Sequence, residues 1–263
     1  MKDAKKELIF DLPNPKREFF KRLVIFALIF MIIGVCVVNY KSFIRVYNMY
    51  NYDKYLTSLY NLKKEKGLSA LKEINDSCIA YIEIQDFDIH LPIVEVQNTK
   101  EEDFYLKHDF RKWENELGSP YQKYGTVINQ TTNTVFIGHS AYSQSIFNNK
   151  KNQTIFGKLN KYLYANDAFN YHITVETFDD VYNFQVVSVM LFKAENSTAP
   201  ELTIYNTKNI STQSQFDNFY NILKTKSLIN NLPTAEFGDK FLTLFTCSTA
   251  DLNYRVMVVA KQV

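Results

Sequence analysis

Three residue types in this chain fit acyl-transfer chemistry: a thiol at Cys247, a guanidinium at Arg255 eight residues later, and an imidazole at His139. A cysteine attacks as the thiolate, and a neighbouring cation favours that form. An imidazole holds a proton and returns it to a leaving amine. A guanidinium keeps its charge, so it suits a developing oxyanion better than proton transfer. Each residue also has a plain structural role. A lone cysteine at a strand end packs as a small apolar group, a histidine after glycine fits a turn, and an arginine fits a surface strand. The elements around them have to separate these readings.

Cys247 ends an apolar, β-prone run from Phe241 to Phe245, and Arg255 opens a second run from Tyr254 to Ala260. Asp251 and Asn253 fit the turn between them. His139 follows a third run, Thr134 to Ile137, through Gly138. Upstream, the period-two pattern predicts strands over Cys78–Ile84 and Ile89–Val96, with Pro92 marking an edge or a bulge. Phe104–Phe110 reads as a short irregular element and Leu117–Tyr121 as a turn. A polar connection after Ile137 leads to a short helical piece within Ile155–Leu163. Two more strands, Tyr171–Thr177 and Val181–Phe192, flank the turn at Phe178–Asp180. Asn196–Leu232 is a polar insertion with one amphipathic helix, its Phe216, Phe219, Tyr220 and Leu223 at helical spacing. Many short strands predict a mainly β fold: a closed or nearly closed β-barrel with an N-terminal helical segment and one inserted helix before the last two strands.

The chain has 263 residues and a formal net charge of +2, which carries no nucleic-acid footprint. Its three cysteines show no metal-ligand spacing. Cys36 and Cys78 read as small buried apolar residues, and a Cys78–Cys247 disulfide would consume the one thiol placed for chemistry. His90, His108 and His172 read as surface or turn groups. The acidic pairs Glu101-Glu102 and Asp179-Asp180 read as turns or solvated faces. No metal or cofactor is expected.

Leu23–Val38 contains no charged residue, and Lys2, Lys5, Lys6, Lys16, Arg17, Lys21 and Arg22 precede it. That is the pattern of an uncleaved signal-anchor with a cytoplasmic N-terminus; no small-residue cleavage site follows. Helical spacing continues through Phe43, Val46, Tyr47 and Tyr50 and through Leu56, Leu59, Tyr60 and Leu62, with Gly67 as terminator. The expected organisation is a cytoplasmic basic tail (1–22), a transmembrane anchor (23–40), a helical juxtamembrane segment packed on the domain (41–74), and an extracellular domain (75–263).

Thr243-Leu-Phe-Thr-Cys247 resembles the TLxTC signature of sortases, the membrane-anchored transpeptidases of Gram-positive bacteria. Phe136-Ile-Gly-His139 resembles the histidine motif of that family, and Arg255 stands at its arginine position. Several stretches are similar to the class B pattern: Ala80–Ile84 with Leu91–Val94, Tyr105-Leu-Lys-His-Asp-Phe110 with Gly118-Ser119, Phe156-Gly-Lys-Leu159, and the long insertion before the final strands. The resemblance covers about residues 75–263.

It implies that Cys247 attacks the threonine carbonyl of a C-terminal sorting signal in a secreted protein. His139 would protonate the leaving amine and Arg255 would stabilise the oxyanion. An amine of the peptidoglycan precursor, or of a pilin lysine, would then resolve the thioester. Thr246, Ser248, Phe245 and Tyr142 are the expected substrate-binding residues, with Phe245 filling the variable position of TLxTC. The competing class is a non-enzymatic, membrane-anchored β-barrel that binds a wall polymer or surface protein. A papain-like protease would place its cysteine before its histidine, the reverse of the order here.

Overall fold

The computed structural model describes residues 15–144, 151–164, 172–230 and 233–263. The chain divides into two units, Met1–Tyr47 and Asn48–Val263, and one helix, α1 (Pro15–Lys66), contributes to both. Pro15 opens α1 and does not break it, because the N–H of a first-turn residue has no carbonyl acceptor within the helix, so proline's missing N–H forfeits no bond. Pro13 and the lysines at 2, 5 and 6 lie outside the described residues. Within the first unit, the most apolar 18-residue window of Lys16–Tyr40 has a mean hydropathy of 2.7, and none of that window is buried. The 25 residues of Lys16–Tyr40 rise about 37 Å, enough by length and composition to cross a bilayer.

In the second unit the end of α1 packs on the domain. Tyr52, Leu56 and Leu59 recur on one face and are buried. The Tyr52 hydroxyl donates to the Gly118 carbonyl at 2.8 Å, and Lys63 pairs with Glu83 at 2.8 Å. The helix stops at Gly67, whose φ of +80° suits a left-handed cap; its N–H bonds the Lys63 carbonyl at 2.8 Å. A short α2 (Ser69–Ile74) leads into the barrel.

Eight strands close that barrel: β1 (Cys78–Ile84), β2 (Ile89–Glu95), β3 (Tyr121–Gln122), β4 (Asn133–Ile137), β7 (His172–Thr177), β8 (Val181–Lys193), β9 (Phe241–Cys247) and β10 (Tyr254–Gln262). Their order round the barrel is β1-β2-β3-β4-β9-β10-β8-β7. Pro92 pairs with Tyr81 of β1 on one side, while β3 reaches β2 only at Val94 and Glu95. Its missing N–H therefore falls where β2 is effectively an edge. A single helical turn, α3 (Glu102–Tyr105), stands between β2 and β3. Tyr171, expected to open β7, lies outside the described residues.

Two features depart from the sequence expectations. The connection after Ile137 is no loop but a two-stranded hairpin, β5 (Ser140–Gln144) with β6 (Lys151–Ile155), followed by a 3-10 helix at Phe156–Tyr164. Its polar residues lack the apolar alternation that marks a half-buried strand. The insertion holds α4 (Glu201–Asn206) besides the expected α5 (Gln213–Lys226); six residues are too few to show helical periodicity. Residues 231–232 of that insertion lie outside the described residues.

Strands β9 and β10 are buried on both faces, which is why they read as unbroken apolar runs. Leu242, Leu244, Val256, Val258 and Ala260 join the barrel interior. Phe241, Met257 and Val259 join a second core with Ile204 of α4 and Phe216, Phe219 and Leu223 of α5.

Candidate active site

Strand register brings the three chemical residues together. β4 runs parallel to β9 with Ile137 opposite Phe245. The pairing continues past β4: Gly138 N–H donates to the Phe245 carbonyl at 3.2 Å, and the Thr246 hydroxyl donates to the Gly138 carbonyl at 2.8 Å. Carrying that register on by one residue sets His139 beside Cys247. On the other side β10 is antiparallel to β9, with Arg255 directly opposite Cys247. Directly opposed residues share a face, their Cβ atoms roughly 4.5–5.5 Å apart. Cys247 thus sits between the histidine strand and the arginine strand.

The two other thiols are placed differently. All three cysteines are free. Cys78 is fully buried in the barrel, where burial pushes its thiol up to about 12. Cys36, expected to be buried, is instead exposed on the apolar stretch of α1, because among the described residues nothing packs against that stretch. Cys247 alone among the cysteines is partly exposed beside charged and titratable groups.

His139 is held by a backbone carbonyl. Its Nε2 lies 2.8 Å from the Leu106 oxygen. A carbonyl only accepts, so Nε2 carries the hydrogen and Nδ1 is left as the basic atom of the neutral ring. Burial lowers the pKa of the ring below 6.5, partly offset by the Leu106 bond. The turn that presents Leu106 is the Tyr105–Phe110 stretch singled out in the sequence. Ser119 N–H bonds the Tyr105 carbonyl at 2.7 Å. Asp109, 1% exposed, accepts from the Arg111 and Trp113 amides at 2.8 and 3.3 Å. The glycine before His139 also has a cause: a Cβ at Gly138 would stand 2.9 Å from the buried Phe156 ring.

The Arg255 guanidinium donates through Nη1 to the carbonyls of Leu252 at 2.9 Å and Tyr254 at 3.3 Å. Leu252 lies on the turn that joins β9 to β10, and Tyr254 opens β10. Amides just after Cys247 are already engaged: Ser248 with the Tyr254 carbonyl at 2.9 Å, Thr249 with the Asn160 side chain at 2.8 Å, and Ala250 with the Ser248 hydroxyl at 3.2 Å.

The residues expected to line a groove divide. Phe245 shares the Cys247 face and packs tilted against Tyr205 of α4, with ring centroids 4.7 Å apart. Thr246 and Ser248 are each 2% exposed. Strand alternation turns Thr246 to the opposite face from its neighbour Cys247, and its hydroxyl is spent on Gly138. The Ser248 hydroxyl accepts from the turn amides. Tyr142 pairs through its backbone with Gln153 in the β5–β6 hairpin; its side chain lies outside the described residues. The helix α4 that carries Tyr205 is held by two polar residues that sequence reasoning passed over. Asn133 donates to the Ile204 and Thr207 carbonyls at 2.9 and 3.0 Å and accepts from Thr243 at 2.8 Å. Lys123 donates to the Tyr205 carbonyl at 2.9 Å and lies over the Tyr205 ring; burial lowers its ammonium to about 8. Among the described residues, no group of His, Cys, Asp and Glu side chains is placed to hold a metal ion.

The sortase domain profile matches residues 82–263. The chain belongs to the sortase family. Among curated proteins it is similar to Sortase B of Staphylococcus aureus, 25% identical over 195 residues that cover 73% of this chain and 72% of that protein. It is likewise similar to Sortase B of Listeria monocytogenes, 25% identical over 183 residues, 69% of this chain and 67% of that protein. Among solved structures, sortase B from B. anthracis in complex with AAEK1 superposes with a TM-score of 0.67 at 23% identity, covering 83% of this chain and 99% of that one. A Staphylococcus aureus sortase B–substrate complex gives a TM-score of 0.61 at 21% identity, covering 81% and 93%. The barrel, the N-terminal helix and the inserted helices are the class B sortase fold, and the chain is a sortase-type cysteine transpeptidase.

Proposed function

We propose that this sortase joins secreted proteins to the cell wall through Cys247, His139 and Arg255, with residues 23–40 as its membrane anchor. The feature that supports the reading most is the double register of β9: the parallel β4 pairing, which ends at Ile137 opposite Phe245 and, carried on through Gly138, sets His139 beside Cys247, and the antiparallel β10 pairing of Arg255 with Cys247. The Cys247 thiolate attacks the threonine carbonyl of a sorting signal, and the carbon–nitrogen bond breaks as the sulfur–carbon bond forms. His139 takes the Cys247 thiol proton on Nδ1 as the thiolate forms and delivers it to the leaving amine. In the second half an acceptor amine attacks the thioester, gives its proton back to Nδ1, and releases the thiolate. The Arg255 guanidinium faces the negative charge on the carbonyl oxygen in both halves; the engaged amides after Cys247 favour it over the backbone for that task.

The acceptor is an amine of the peptidoglycan precursor or of a pilin. A solved sortase B complexed with triglycine supports a glycine-type amine. Phe245 and Tyr142 contribute to the groove for the signal, while Thr246 and Ser248 support Cys247 from beneath. Seven cations before the apolar stretch and the absence of charge within it support a cytoplasmic N-terminus and an extracellular catalytic domain, 75–263.

The test is thioester formation by the full-length protein on a threonine-centred peptide library, read by mass spectrometry of the intact chain. Cys247→Ala should abolish the acyl adduct in a folded protein; an undiminished adduct would sink the assignment. His139→Ala and Arg255→Ala should each slow the reaction about 100-fold or more. Protease added to intact cells should remove the catalytic domain, and full protection would reverse the topology.

A further inference from the structure

The 3-10 helix at Phe156–Tyr164 touches both strands that carry the candidate residues. Its first residue, Phe156, lies against the α-carbon of Gly138, one residue before His139. Four residues later, Asn160 is 1% exposed and reaches the strand of Cys247. The Asn160 Nδ2 donates to the Gly157 carbonyl at 3.1 Å and to the Cys247 carbonyl at 3.3 Å. Its Oδ1 accepts from the Thr249 amide at 2.8 Å. The last two bonds straddle the peptide links that follow the thiol-bearing carbon, where β9 has ended and the ladder gives way to a turn.

We propose that Asn160 is a positioning residue for Cys247: by holding the Cys247 carbonyl and the Thr249 amide it fixes the backbone on which the thiol is aimed. The proposal rests on the reading of Cys247 as the nucleophile. A carboxamide suits the task because it offers a donor and an acceptor on one rigid plane. Leucine has nearly the same shape and neither function. Aspartic acid has both functions while protonated; once ionised, it loses the donor and turns a negative charge toward the Cys247 carbonyl. The same helix sets the Gly138 backbone through Phe156, so one short element registers the thiol strand against the histidine strand. An error of about 1 Å in such a pair is enough to slow a reaction by orders of magnitude.

The test uses the full-length protein in detergent micelles, carrying Cys36→Ala so that the exposed second thiol does not react. Two rates are followed: thioester formation with the library peptide that the unaltered protein cleaves fastest, and alkylation of Cys247 by iodoacetamide, located by mass spectrometry. Asn160→Leu should lower kcat for thioester formation about tenfold or more and leave KM within about twofold. For Asn160→Asp, burial raises the carboxyl pKa. Its thioester rate should approach that of the unaltered protein in acid and fall away as pH rises through that titration. Its iodoacetamide curve should shift to higher pH. Simple loosening of the fold, as in Asn160→Leu, produces neither effect. An Asn160→Leu kcat within about twofold of the unaltered protein, or Asn160→Asp curves that superimpose on the unaltered ones, overturns the proposal. If the unaltered protein forms no thioester with any peptide, the nucleophile reading has failed, and the iodoacetamide curves still decide whether Asn160 controls Cys247.

Discussion

Replacing Gly118 by alanine strikes at the seat of His139 without touching it. Gly118 has a φ of +61°, and an alanine held there costs about 1–2 kcal/mol. The added methyl would also stand 2.5 Å from the Tyr105 carbonyl oxygen and 3.0 Å from that of Leu106. Both are backbone atoms that no rotamer change can move. Bringing the first contact to an ordinary 3.4 Å needs 0.9 Å of displacement (3.4 less 2.5). The turn resists, because Ser119 N–H binds the Tyr105 carbonyl at 2.7 Å and the Tyr52 hydroxyl holds Gly118 at 2.8 Å. Forced shifts in packed structure add roughly 1–3 kcal/mol. The total of about 2–5 kcal/mol lowers the melting temperature of a unit this size by about 5–15 °C. The displaced Leu106 oxygen is the acceptor of His139, so thioester formation should drop about 100-fold even where the protein stays folded. Gly67→Ala is the control: its φ of +80° imposes the same kind of strain, and nothing lies within 4 Å of the new methyl. Circular-dichroism melting and the thioester rate are measured on both. If Gly118→Ala melts and reacts like Gly67→Ala, the link from Gly118 through Leu106 to His139 is wrong.

Thr246→Val removes the hydroxyl bond to Gly138 at 2.8 Å and should cost about 1–2 kcal/mol in denaturant unfolding; an unchanged midpoint would show that the hydroxyl does not hold the two strands. Burial lowers the His139 pKa, so its imidazole nitrogens, followed by NMR, should titrate below 6.5 with Nε2 protonated in the neutral ring. The folded state keeps the ring neutral while the unfolded ring takes up a proton near its ordinary value. The associated stability is therefore fully present above pH 6.5 and is lost as pH falls through the lower folded midpoint; a midpoint at or above 6.5 contradicts it. Phe245→Ala deletes the ring packed at 4.7 Å, tilted, against Tyr205. It should cost about 1–3 kcal/mol for a partly buried aromatic and widen the range of library peptides accepted. An unchanged peptide profile removes Phe245 from the groove.

What could be read in the chain beforehand, and what could not, follows from how each part encodes itself. The runs Phe241–Phe245 and Val256–Ala260 announce buried strands because both of their faces meet apolar cores, and sequence records burial directly. Cys247, His139 and Arg255 stand at strand ends, so the motif order also gives their approximate neighbourhood. Thr246 and Ser248 show the limit of reading by adjacency. Residues that flank a strand residue point away from its face, and the one two places back shares it; Phe245, not Thr246, is the neighbour that matters in space. The support beneath the site was least legible. Leu106 acts on His139 through its carbonyl, which every residue possesses, so the side chain at 106 encodes nothing of the contact. Gly118 and Gly138 are legible only as glycines until the Leu106 oxygen and the Phe156 ring are seen against them. Asn160 looks like a polar residue on a short helical piece, yet its side chain is buried and two of its three bonds reach across 87 and 89 residues of chain. A nucleophile declares itself by its type. The groups that aim it act through backbone atoms and long-range closure, and these appear only once the barrel has brought β4, β9 and the 3-10 helix to one end.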